Sequence, residues 1–166
     1  MESLLSIAGS IASVGAAIWA YVEAGNAAKS ASKAESVRID MIGRRELAEV
    51  SKVHVKTDTI LTVVSKIGPS CSTKKLTGFD SAGIAKEVEE YSRYLNEKSS
   101  HFSDFFENKA KKLCDDLKKD IEELSEADDP EIVKTIGSRI YYKINSFMPF
   151  VKNLADEKQE DSVAGK

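Results

Sequence analysis

Residues 129–154 read DPEIVKTIGSRIYYKINSFMPFVKNL, and this stretch decides the fold class. Val133, Ile136, Ile140, Ile144, Phe147, Val151 and Leu154 recur at intervals of three and four, which gathers them on one face of an α-helix and scatters them over both faces of a strand. The start of the helix is written just ahead of the stripe. Asp129 can cap it, Pro130 suits the first helical position because its missing N–H would be unpaired there anyway, and Glu131 sits at the positive end of the helix dipole. Pro149 lies inside the stripe and is expected to kink the helix near Asn145, or to end and restart it. Ile140, Ile144, Phe147 and Val151 are expected among the most buried residues. From Asp156 onward the burial pattern stops, so 156–166 reads as a disordered tail.

The same periodicity runs upstream. Ile84, Val88, Tyr91 and Leu95 keep it, and Ala110, Leu113, Leu117, Ile121 and Leu124 resume it after a phase shift, with Ser99, Ser100 and His101 as the place for a break. Asp80 or Ser81 can cap this region. Ahead of it, Lys66–Asp80 contains Gly68, Pro69, Ser70, Ser72, Thr73, Thr77 and Gly78, a cluster that breaks helix and marks the main loop. Ala24–Ile67 has no proline and reads as helix with a stripe that includes Leu47, Val50, Thr57, Leu61 and Val64, while Gly25 and Gly43 are the expected bend positions. Only 3 prolines and 9 glycines in 166 residues, with 31% charged side chains, fit helices and not sheets with their many turns. The expected fold class is all-α: an apolar amino-terminal helix over 1–24, then an antiparallel bundle of three to four long helices over 25–155, since single apolar faces are hidden only by packing together.

The amino-terminal segment carries the strongest functional signal. Ser3–Val22 holds no charged residue, and 20 helical residues rise about 30 Å, the thickness of the hydrocarbon layer. Leu4, Ile7, Ile11, Val14 and Ile18 form one stripe, and Gly9, Ser13, Ala16 and Ala20 supply small residues that let helices approach closely in lipid. Trp19 suits the bilayer interface. These ten residues are the expected membrane and oligomer interface. Lys29, Lys33 and Arg38 follow the segment, which orients it N-out with the bundle in the cytoplasm, at an inner or plasma membrane. Two rivals compete. Val22-Glu23-Ala24 offers a cleavage site for a signal peptide, but only Glu2 precedes the apolar run, with no positive region. Alternatively, because roughly half the segment is Ser, Gly or Ala, it gains little from lipid and completes the core of a cytoplasmic bundle or a dimer interface.

No catalytic, metal or cofactor chemistry is legible. His54 and His101 lack ligand-type neighbours at helical spacing, and no Glu-x-x-His pair accompanies the carboxylates Glu87, Glu89 and Glu90 or Asp115, Asp116, Asp120, Glu122 and Glu123, which read as a solvated face. Neither glycine-rich phosphate motif occurs. Cys71 and Cys114 read as two reduced thiols. Tyr91, Tyr94, Phe102, Phe105 and Phe106 read as core. The net charge of −3 comes from 24 basic and 27 acidic residues interspersed along the chain, so nucleic acid is not an expected partner.

A short apolar amino-terminal helix, Met1-Glu2-Ser3-Leu4-Leu5-Ser6-Ile7-Ala8-Gly9, followed by a bundle of this size, resembles the layout of the HeLo and MLKL-type cell-death domains. The resemblance implies a bundle that perforates membranes after a regulator triggers it. The functional expectation is a non-enzymatic, membrane-associated helical protein, a small oligomerising effector or accessory subunit whose partners are the lipid bilayer and either further copies of itself or an unidentified protein. The alternative is a soluble helical interaction module.

Overall fold

The computed structural model describes the backbone of residues 2–76, 78–99 and 104–164, and the side chains of residues 19–74, 76, 78–99 and 108–160. All regular structure among them is helical: α1 Glu2–Ser65, a 3₁₀ turn at Thr73–Lys75, α2 Ser81–Ser99, α3 Asp104–Ser125 and α4 Pro130–Ala164. The chain forms two compact units, Met1–Ile42 and Gly43–Lys166.

In the first unit the backbone of α1 is helical from Glu2, and every side chain from Trp19 to Ile42 is exposed. The second unit contains the core. The last part of α1 contributes Val50, Val53, Thr57, Ile60 and Val64, a strict alternation of threes and fours that Ile67 extends beyond the helix end. Ile84, Val88, Tyr91 and Leu95 come from α2, Leu113, Leu117 and Leu124 from α3, and all seven residues of the α4 stripe are buried. Each such aliphatic side chain contributes about 1.5 to 3 kcal/mol by leaving water.

Local chemistry explains the boundaries. The Asp80 carboxylate accepts from Gly83 N–H at 2.7 Å, and the Asp129 carboxylate from Glu131 N–H at 2.7 Å, so both caps satisfy amides that the first helical turn cannot pair internally. Gly78 takes φ +75° in the turn before α2, a conformation that side chains with a Cβ resist. The Ser81 hydroxyl donates to the Ala127 carbonyl at 2.8 Å and ties the start of α2 to the α3–α4 connection. Pro149 neither ends nor restarts α4, and its ring is exposed. The helix continues to Ala164, past the point where the burial pattern stops, and Lys158 reaches Glu46 on α1 at 2.7 Å.

One reading of the sequence is corrected. Asp120, taken as part of a solvated acidic face, is 3% exposed and lies against α4. It occupies the core-facing register of Leu113, Leu117 and Leu124, three residues from Leu117 and four from Leu124, while Ile121 is only half-buried. Burial of the carboxylate is tolerated because Arg139 and Lys143 meet it at 3.0 and 2.8 Å.

A second buried polar contact joins α1 and α2. Thr57 Oγ1 donates to the Val53 carbonyl at 2.8 Å, which leaves the Tyr91 hydroxyl to donate to Thr57 at 3.0 Å. Burial pushes the Tyr91 phenol well above its usual pKa, against the opposing effect of this bond. Thr57→Val should lower stability by about 1 to 3 kcal/mol, because it orphans a buried phenol. Adding Tyr91→Phe should recover most of the loss, and a double-mutant cycle by urea denaturation measures both.

Candidate functional site

The expected membrane and oligomer interface falls mainly outside the described side chains. Leu4, Ile7, Gly9, Ile11, Ser13, Val14, Ala16 and Ile18 have a helical backbone within α1, and their side chains lie outside the described residues. Trp19 and Ala20 are described and exposed, Trp19 at 75%. Tyr21, Val22, Val37, Ile39, Met41 and Ile42 are exposed as well. At 100° per residue these apolar side chains do not share one face: Trp19, Val37 and Met41 lie together, with Tyr21, Ile39 and Ile42 on the opposite side. Among the described residues no helix is long and apolar enough to cross a membrane.

Charge on this part of α1 is balanced locally. Arg38 donates through Nε and Nη2 to both carboxylate oxygens of Glu35 at 3.1 and 3.0 Å, a bidentate pair on an exposed helix face. Exposure of both partners keeps its contribution small.

Between α3 and α4 the bundle holds a cluster of charged groups. Arg139 bridges Asp120 and Glu123, and its hydrogen bond holds the Glu123 carboxyl below the usual carboxylate range. A depressed folded pKa means that this contribution is present above the ordinary Glu value and is lost as pH falls through the lowered one. On the exposed side of α3, Lys118 bonds Asp115 at 2.8 Å and lowers that carboxyl in the same way.

The other side chains singled out in the sequence do not converge. His54 is half-buried, and His101 lies outside the described residues. Cys71 is half-buried with its thiol directed to the Ser72 carbonyl, whereas Cys114 is buried in α3, donates to the Ser92 carbonyl at 3.3 Å and has its pKa pushed up by burial. Raised thiols are poor nucleophiles. No group of three or more His, Cys, Asp or Glu among the described residues is placed to hold a metal ion. Tyr91 is buried as core, and Tyr94 is half-buried with Lys56 Nζ 4.9 Å from its ring centroid. The Phe102, Phe105 and Phe106 side chains lie outside the described residues.

Two open clefts border the bundle. One, of about 690 Å³ between α2 and α3, has a floor of small residues such as Ala82, Ala85, Ser92 and Cys114 under a rim of alternating charges. The other, of about 670 Å³, lies at the α3–α4 connection around Ile132 and Ile136. The chain matches no family model, and neither a curated protein nor a solved structure matches it.

Proposed function

We propose that this chain is a non-enzymatic, membrane-associated helical protein, an oligomerising effector or accessory subunit whose amino-terminal helix enters the bilayer N-out while the bundle stands in the cytoplasm. The observation that carries the reading is the charge-free run Ser3–Val22 within the unbroken helical backbone of α1. Exposed Trp19 and Tyr21 at its end support it, as amphipathic rings of this kind favour the headgroup region. Apolar side chains on opposite sides of the following turns also favour surroundings that cover the helix from more than one direction.

The bundle in this reading is antiparallel. Support comes from the order of contacts. Glu46 meets Lys158 while Ile67 meets Gly137, Lys56 meets Tyr94 while Thr57 meets Tyr91, and Asp116 meets Lys143 while Glu123 meets Arg139. In each pair the numbering rises on one helix as it falls on the other.

The test is carbonate washing of membranes from cells expressing the full chain or a variant lacking residues 1–22. The full chain should stay in the pellet, and the variant should move to the supernatant with its cooperative melt retained. Full-length protein in the supernatant overturns the membrane reading. Loss of the cooperative melt on deletion would favour the soluble module, in which Leu4, Ile7, Ile11, Val14 and Ile18 complete a core or a dimer interface.

A further inference from the structure

The cleft of about 690 Å³ between α2 and α3 runs from Ala82 to Asn96 on one helix and from Cys114 to Ser125 on the other. Its floor is made of short side chains, Ala85, Ser92 and Cys114, with Ile121 half-buried beside them. Two rows of exposed charges stand above the floor: Lys86, Glu89 and Arg93 on α2, and Asp115, Lys118 and Glu122 on α3. Sign alternates along each row.

The two rows are matched in level. The Ser81 hydroxyl bonds the Ala127 carbonyl and the Cys114 thiol bonds the Ser92 carbonyl, so the numbering of α3 falls as that of α2 rises. Lys86 therefore stands level with Glu122, Glu89 with Lys118, and Arg93 with Asp115, a cation opposite an anion each time. None of these couples closes into an ion pair across the groove. Asp115 and Lys118 bond each other along α3 at 2.8 Å, an exposed pair that is weakly held, while Lys86, Glu89, Arg93 and Glu122 make no ion pair among the described residues.

We propose that this groove is a self-association surface that receives the same groove of a second copy. A half-turn about an axis along the groove lays α3 of the copy over α2 and keeps every level. Lys86 then meets Glu122, Glu89 meets Lys118 and Arg93 meets Asp115 across the interface, each twice by symmetry. A half-turn about an axis across the groove lays α2 on α2 instead. That sets Lys86 against Arg93 and Glu89 against itself, and like charges exclude it. Sliding the first arrangement by one level also opposes like charges, so the alternation fixes the register. The paired layers make a four-helix bundle in which the short floor residues become a closely spaced core and the charge rows flank it, where such rows set helix orientation. This interface is separate from the amino-terminal helix and needs no bilayer. Two helices each about 10 Å wide, over about four turns, present roughly 400 Å² per copy, the size of weak and transient interfaces. A Kd on the order of 0.1 mM is expected.

Sedimentation equilibrium of the purified full chain tests the surface, with Lys86→Glu and Glu122→Lys examined alone and mixed in equal amounts. Both side chains are exposed, so neither reversal disturbs the core. Each variant alone makes two contacts repulsive and should self-associate about tenfold more weakly than the parent. In the mixture both contacts join opposite charges again, and association should return to the parental strength. Recovery in trans cannot come from a repaired fold, because each chain keeps its own substitution. A parent that stays monomeric at about 1 mM, single variants that associate as tightly as the parent, or a mixture no stronger than its components each overturn the surface. Association through the amino-terminal helix is common to all these proteins and cancels in the comparison. The membrane reading fails separately, in the carbonate wash of the unaltered chain.

Discussion

Ile144→Ala is expected to lower the stability of the bundle by about 2 to 5 kcal/mol, the range for truncating a fully buried aliphatic side chain and leaving a cavity behind. Ile144 is 0% exposed and stands at the middle of the α4 stripe, one turn from Ile140, also at 0%, and three residues from Phe147 at 3%. The site can collapse only by moving helices that are held on other sides by the Thr57–Tyr91 contact and the Asp120 cluster. For a chain of this size the loss corresponds to a melting temperature lower by roughly 4 to 20 °C. Circular dichroism melts and urea denaturation measure it. A midpoint unchanged within error would mean that α4 does not pack through this stripe.

Gly137→Val should cost about 3 kcal/mol or more, the upper end of overpacking penalties. A Cβ at position 137 would collide with the Ile67 carbonyl oxygen and come within 2.7 Å of Ile67 Cγ1 and 2.8 Å of Cδ1. Ile67 is itself fully buried, so neither its side chain nor the backbone leaving α1 can move aside cheaply. Replacing glycine in a helix normally gains up to about 1 kcal/mol, and the collision outweighs that gain. Gly43→Ala is the matched control. A Cβ there meets nothing within 4 Å, so only the favourable helix term should remain. Equal stability of the Gly137→Val and Gly43→Ala proteins would show that α4 and the end of α1 do not approach closely at Gly137.

The α4 stripe was legible in full, and all seven of its expected residues are buried. The α1 stripe was legible only in part. Val50, Thr57 and Val64 are buried as expected, Leu47 and Leu61 are half-buried, and Val53, Ile60 and Ile67, which the sequence reading did not single out, complete the core face. The spacing 50, 53, 57, 60, 64, 67 is regular enough to have been found, but the exposed valine at 55 and the half-buried leucines at 47, 61 obscured its phase. Asp120 had a signal too, since it stands three and four residues from Leu117 and Leu124. Composition argued the other way, because a carboxylate on a helix normally faces water.

By itself the sequence determined the all-helical class, a cap at Asp129 and another at Asp80 or Ser81, the loop that ends near Asp80, and the charge-free run at the amino terminus. Each depends on residues within one or two turns of each other, and the 3.6-residue period projects them directly onto a face. Only the tertiary structure decided that Asp120 is buried, that Gly137 must lack a Cβ, and that Thr57 satisfies Tyr91. Those facts depend on which helix faces which and at what register. Residues 19 to 70 positions apart are brought together by the packing of whole helix faces, and a one-dimensional period carries no information about its partner.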